Sequence, residues 1–181
     1  MKIATFNLNS IRERLPRLLD WLARAQPDVV CLQELRIRPA EFPREAIADA
    51  GYGALWQAQS TRFNGVAILA RDAEPVEVRR ELPGDAADTQ ARYFEAAVNG
   101  ILVGCLYAPN GNPQPSPKFQ AKLAWHRRFE AHAATLLEAD VPVVLAGDYN
   151  IVPTPQDIYA TRSYAHNALV QPESRDAFAR L

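Results

Sequence analysis

Cysteine is nearly absent: Cys31 and Cys105 are the only two in 181 residues. Each lies inside an apolar, strand-like run, Val29-Val30-Cys31-Leu32 and Val103-Gly104-Cys105-Leu106, where a thiol packs as a small hydrophobe. So sparse a pair excludes a disulfide-stapled scaffold. Long hydrophobic runs are missing too, and the chain passes from Met1 straight into a strand-like pattern with no signal-like segment. A cytoplasmic protein without membrane contact is expected. Nor is there an excess of charge of one sign. Lys and Arg number 20 against 21 Asp and Glu, a formal net charge of -1. No global positive field draws the chain to nucleic acid, so any phosphate site must be local. No internal repeat or low-complexity tract is present.

The composition, 48% hydrophobic and 23% charged, suits one globular domain over residues 1–181. Residues 2–6 read as a strand. A helix follows, with Leu15, Leu18, Leu19 and Leu22 on one stripe, Pro16 in its first turn and Pro27 marking its end. Residues 28–33 read as a second strand, completing a βαβ signature. A short helix is expected over 44–50, stopped by Gly51. Strands are expected over 54–59, 66–70, 76–81, 93–98 and 101–107, with Asn99-Gly100 as a hairpin turn. The Pro-rich stretch 108–117 is a loop. A helix over 118–138 is expected to bury Leu123, Phe129, Ala133, Leu136 and Leu137, with Lys118, Lys122, Arg127 and Arg128 on a solvated face. Pro142 to Gly147 reads as a strand buried on both faces, and residues 176–181 as an unfinished, uncapped helix.

Four strands end in a chemically usable side chain: Asn7, Glu34, Tyr107, and Asp148 with Asn150. If they share one sheet direction, one edge carries two carboxylates, amides and a phenol. That donor set suits a hard cation such as Mg²⁺ and a phosphate bound to it. Mg²⁺ needs only one or two carboxylates, so Glu34 with Asp148 or Asn7 would suffice. Arg12, Arg36 and Arg62 fall after strand ends or in loops, where they could meet a DNA backbone. His126, His132 and His166 read as surface or packing groups, because His126 and His132 have the wrong spacing for a shared metal.

The segments Phe6-Asn7-Leu8-Asn9-Ser10-Ile11-Arg12, Gln33-Glu34, Asn64-Gly65-Val66-Ala67, Tyr107-Ala108-Pro109-Asn110-Gly111 and Gly147-Asp148-Tyr149-Asn150 resemble, in this order, the exonuclease III family of apurinic/apyrimidinic endonucleases. That family belongs to the endonuclease/exonuclease/phosphatase superfamily. The resemblance implies a four-layer α/β sandwich and a DNA-repair nuclease using Mg²⁺, or Mn²⁺, to hydrolyse phosphodiesters beside abasic sites and from 3′ ends.

By the same resemblance Glu34 is the metal ligand, with Asn7, Asp148 and Asn150 in the metal shell. Asp148 activates or orients the attacking water, Asn150 stabilises the transition state, and Tyr107 contacts the scissile phosphate. Asn9, Arg12, Asn64 and Asn110 are the DNA-binding candidates, and a monomer acting on abasic duplex or 3′ ends is expected. Ser10 stands where many relatives have Gly, and Leu35-Arg36 where many have Thr-Lys. Family members carry further motifs, including a terminal Ser-Asp-His segment, that the 181 residues do not contain. A C-terminally incomplete domain is therefore expected. A catalytically impaired or DNA-binding remnant, and a phosphoesterase of the same superfamily acting on a lipid or inositol phosphate, remain as alternatives. A glycosidase built on Glu34 and Asp148 lacks an aromatic sugar platform.

Overall fold

The β-branched and aromatic runs form strands, and the leucine stripe forms a helix, largely where periodicity places them. The computed structural model describes residues 1–159 and 164–181. They divide into a first unit, Met1–Tyr107 with Ala139–Asp148, and a second, Ala108–Glu138 with Tyr149–Leu181. Among the described residues no helix is long and apolar enough to cross a membrane.

The first unit contains two four-stranded sheets. One has the order β1 (Ile3–Asn7), β2 (Val29–Gln33), β4 (Val66–Arg71), β3 (Tyr52–Gln57); the other has β5 (Val76–Arg79), β6 (Tyr93–Val98), β7 (Ile101–Tyr107), β8 (Val143–Asp148). Pairing is parallel between β1 and β2 and between β7 and β8, and antiparallel elsewhere. The four informative strand ends thus belong to two sheets, not one. Inward residues Val29, Cys31, Val66, Ile68, Phe94, Ala96, Val103 and Cys105 form the core between the sheets. Both cysteines are fully buried, and a hydrogen bond with Cys105, together with burial, holds the Cys31 thiol well above the usual range.

Helix α1 (Ile11–Ala25) packs Ile11, Leu18 and Leu22 on the opposite face of the first sheet, together with Ile47 of α2 (Arg44–Asp49). Each leucine so buried contributes about 2 kcal/mol. Because α1 starts at Ile11, Pro16 lies in its second turn, not its first. The helix tolerates it where Pro16 faces solvent. The β6–β7 hairpin turns at Asn99 and Gly100, both with positive φ, as a type I′ turn requires. Strand β3 begins two residues before the expected start, because the Tyr52 hydroxyl donates to the Pro27 carbonyl at 2.9 Å and anchors that end.

Strand β8 differs most from its sequence reading. Among the described residues it is an edge strand, paired to β7, and it is half-buried along its length. Gly147 permits that pairing: a Cβ there would stand 1.9 Å from the Leu106 carbonyl oxygen.

Among the described residues of the second unit, α3 (Pro117–Leu136) and α4 (Pro172–Ala179) are the α-helices. The buried stripe of α3 is Phe119, Lys122, Trp125, His126, Phe129 and His132. Of the side expected to be buried only Phe129 is fully so, and Leu137 is exposed. Polar residues hold positions that an apolar count assigns to solvent. Lys122 leaves the solvated face, while His126 and His132 pack inside and His166 is exposed. Tyr149 joins this core edge-on to Phe129 and to Phe178 of α4. Helix α4 starts at Pro172, four residues before the expected start, since proline suits a first helical turn. Its N-cap makes no side-chain hydrogen bond.

Neither ring nitrogen of His126 has a well-formed hydrogen bond. Burial, then the nearby Lys122 charge, bring its pKa down to about 4, and the Tyr149 backbone opposes this only in part.

Two outcomes are expected. Gly147→Ala drives a methyl group into the β7 backbone, so thermal unfolding should show a loss of about 3 kcal/mol or more. His126 is neutral in both states above pH 6.5; as pH falls toward 4, only the unfolded chain takes up the proton. Stability should therefore fall by about 3 kcal/mol across that window. Urea unfolding at a series of pH values should show a flatter profile for His126→Phe, and an unchanged slope would refute this assignment.

Candidate active site

Backbone hydrogen bonds continue the β1–β2 register past the ends of both strands. Leu8, Ser10 and Ile11 donate their N–H groups to the carbonyls of Gln33, Glu34 and Leu35, at 2.9, 2.9 and 3.1 Å. Leu35 and Arg36 donate in turn to Gly65 and Asn64. Three loops are thereby laced side by side at the carboxyl ends of β1 and β2. The tight spacing costs backbone freedom: Asn9, Ser10, Glu34, Arg36 and Asn64 all have positive φ. Non-glycine residues adopt that region at a cost. Gly65, also at positive φ, is required by contact, since a Cβ there would meet Leu35 Cβ at 2.8 Å.

Four side chains of the first unit meet here. Asn7 Nδ2 donates to Glu34 Oε1 at 2.7 Å and to Asp148 Oδ2 at 3.0 Å. Asn7 Oδ1 accepts from the Asn9 N–H at 2.9 Å, so its amide plane is fixed. The Tyr107 hydroxyl donates to the same Glu34 Oε1 at 2.8 Å. Glu34 Oε2 is buried without a well-formed hydrogen bond, although Arg36 Nη2 lies 2.5 Å away as an ion pair. Burial first, and Glu34 second, raise the Tyr107 pKa to about 12, so the phenol keeps its proton throughout the physiological range.

Arg92, which the sequence reading did not single out, stacks its guanidinium 4.8 Å from the centre of the Tyr107 ring. It also donates to the Tyr107 carbonyl at 3.2 Å, while Tyr107 N–H donates to the Arg92 carbonyl at 2.8 Å. Burial lowers its pKa. The cation stabilises the ring face and holds the ring in place. Gln33, part of the Gln33-Glu34 segment but given no role there, is buried and donates to Thr5 Oγ1 and the Cys31 carbonyl, both at 3.0 Å. Arg92 belongs to none of the segments that carry the resemblance.

In the second unit the Asn110 and Asn150 side chains pair. Asn110 Nδ2 donates to Asn150 Oδ1 at 3.0 Å, and Asn150 Nδ2 donates to the Ala108 carbonyl at 2.8 Å. Asn110 Oδ1 accepts from both the backbone and the side chain of Asn112.

Among the DNA-binding candidates, Asn9 and Arg12 are exposed, whereas Asn64 donates to Gln59 at 2.5 Å. Arg36 and Arg62, placed by sequence where they could meet a DNA backbone, form ion pairs with Glu34 and Glu41. The Glu41 pKa is drawn down to about 2, first by its hydrogen bond with Arg62.

Among the described residues no three His, Cys, Asp or Glu side chains gather as a metal cage. What is gathered is smaller: two carboxylates on one amide, with a buried, poorly satisfied carboxylate oxygen among them. An all-oxygen set of that size fits a hard divalent ion that retains most of its water.

Comparison with known proteins identifies the family and the fold. The model of the Endonuclease/Exonuclease/phosphatase family matches residues 4–178. Exodeoxyribonuclease III of Haemophilus influenzae is 32% identical over 163 residues, which cover 87% of this chain and 60% of that protein. The structure of an AP endonuclease from Archaeoglobus fulgidus superposes with a TM-score of 0.91 at 32% identity, covering 99% of this chain and 69% of the other. The 3′ phosphatase NExo from Neisseria, bound to product DNA hairpin, gives a TM-score of 0.93 at 34% identity, covering 100% and 70%. The chain thus spans about 60% of the curated relative's length, and it shares the α/β sandwich fold that its motifs implied.

The laced loops yield a stability test. Ser10 has φ 89° and ψ 105°, and its hydroxyl accepts only a long hydrogen bond, 3.4 Å, from Glu13 N–H. Ser10→Gly relieves that backbone, so thermal unfolding should show a gain of about 1 kcal/mol. A loss would mean that the capping bond outweighs the strain.

Proposed function

The chain belongs to the endonuclease/exonuclease/phosphatase family, on its exonuclease III branch, and from that premise we propose that it is a Mg²⁺-dependent DNA-repair nuclease. Its substrates on this reading are phosphodiesters beside abasic sites and at 3′ ends. The observation that carries the proposal is the Asn7 amide joined to both Glu34 and Asp148, with the Tyr107 hydroxyl on Glu34. The names of the relatives support DNA as substrate: an exodeoxyribonuclease, an AP endonuclease, and a 3′ phosphatase seen with a DNA hairpin.

Glu34 would be the principal holder of the divalent ion, with Asp148 and the Asn7 amide beside it; Asn150 joins the set on the family resemblance alone. When bound, the ion supplies positive charge against the charge developing on the phosphate. The residues do the rest. Asp148, oriented by the Asn7 amide, is the carboxylate that orients or deprotonates the attacking water. Tyr107, held as a neutral phenol, turns its hydroxyl from Glu34 to a phosphate oxygen as substrate enters. Asn150 supplies an amide donor to the transition state, where a preorganised donor is worth most. Arg12 and Asn9, exposed at the laced loops, take the DNA backbone together with Asn64 and Asn110.

Cleavage of an abasic duplex with Mg²⁺ tests this. Glu34→Ala and Asp148→Ala should each lower kcat about a thousandfold, and Tyr107→Phe about a hundredfold. Chelation with EDTA should abolish cleavage, and added Mg²⁺ should restore it. Cleavage that survives both Glu34→Ala and EDTA would overturn the reading.

A further inference from the structure

We propose that Lys122 is a positioning residue, one that holds Asn150 in the conformation from which its amide serves phosphodiester hydrolysis. This rests on the role given to Asn150 above. Lys122 acts through Asn150 and has no part in the reaction itself.

Its side chain is fully buried in the second unit. Lysine is among the residues least often found so, because a buried ammonium must find acceptors for its protons. Two of those acceptors define its role. Lys122 Nζ donates to the Asn150 carbonyl at 2.5 Å and to the Ala168 carbonyl at 3.4 Å. Ala168 is itself pinned: its carbonyl accepts from Ser174 Oγ at 2.6 Å, and its N–H donates to Asn112 Oδ1 at 2.9 Å. The ammonium thus ties the Asn150 backbone to a fixed point.

Asn150 needs such a tie. Its φ of 51° lies in the left-handed region, which is unfavourable for a residue with a Cβ. A charge-assisted hydrogen bond to its carbonyl is strong enough to offset that cost. The lysine stem meets the other half of the asparagine pair as well. Gly111 packs directly on it, since a Cβ there would stand 2.8 Å from Lys122 Cδ. Gly111 follows Asn110, the donor to Asn150 Oδ1. One side chain therefore sets the carbonyl of Asn150 by charge and the turn carrying its partner by shape.

The test uses Lys122→Met, which keeps the stem without the charge, and Lys122→Arg, which keeps the charge but moves its donors. With abasic duplex and Mg²⁺, below the unfolding range of each variant, kcat should fall in the order wild type, Arg, Met. The Met variant should lose about tenfold or more, with KM within about twofold of wild type. In an Asn150→Ala background Lys122→Met should cost nothing further, because the lysine acts through that asparagine. Additive losses, or an unchanged kcat in both variants, would overturn the proposal.

Nuclear magnetic resonance supplies a readout independent of catalysis. The side-chain amide protons of Asn150 should be protected and dispersed in the wild type, and should move toward free-amide shifts in the order Arg, then Met. Should the wild-type chain fail to cleave DNA, the functional reading falls, but the Asn150 resonances still decide whether Lys122 positions it. Should the Met variant not fold, an Asn150 resonance unmoved by Lys122→Arg would count against the proposal.

Discussion

Two carboxylates held on one amide is an electrostatically costly arrangement, and much of the first unit is organised to maintain it. Glu34 and Asp148 come from the ends of different sheets, and their like charges repel. Asn7 answers with both protons of its Nδ2, Tyr107 with its hydroxyl, and Arg36 with its guanidinium. Two of these donors are themselves fixed, Asn7 through the Asn9 N–H and Tyr107 through Arg92. The run of positive φ values across Asn9, Ser10, Glu34 and Arg36 is the backbone's share of the cost. Strain of this kind persists where the surroundings over-determine it, as the laced loops do here.

The site's members were legible in the sequence because each ends a strand or follows one closely, and a polar residue closing an apolar run is conspicuous. Their grouping was less so. Periodicity identifies strands without saying which sheet they join, so the division of the four ends between two sheets was invisible. Strand β8 shows the limit from another side: Val143 to Ala146 is apolar enough for a central strand, yet edge position leaves it half-buried. Arg92 belongs to no motif and Gln33 stands in one without a visible role, because both act through tertiary contact.

Helix α3 carries the sharpest disagreement. An apolar count turns Leu137 inward and Lys122 outward, and the structure does the reverse. What decides is the supply of acceptors. The carbonyls of Asn150 and Ala168 make a polar socket that a leucine would leave unsatisfied and a lysine fills. Burial on this helix follows hydrogen-bonding demand as much as hydrophobicity, and no local window of sequence contains that demand.

The single ladder by which β8 joins its sheet bears on when the site comes into being. Asn7 and Glu34 lie 27 residues apart within one βαβ unit, but 141 residues separate Asn7 from Asp148. Contacts of such different span do not form together, because closing the longer loop costs more entropy and its reward comes later. A chain that has assembled only β1, α1 and β2 already presents Glu34 and Asn7, yet holds a single carboxylate. The second arrives only when β8 docks on β7, so the paired carboxylates are withheld from any form of the chain in which that ladder has not closed.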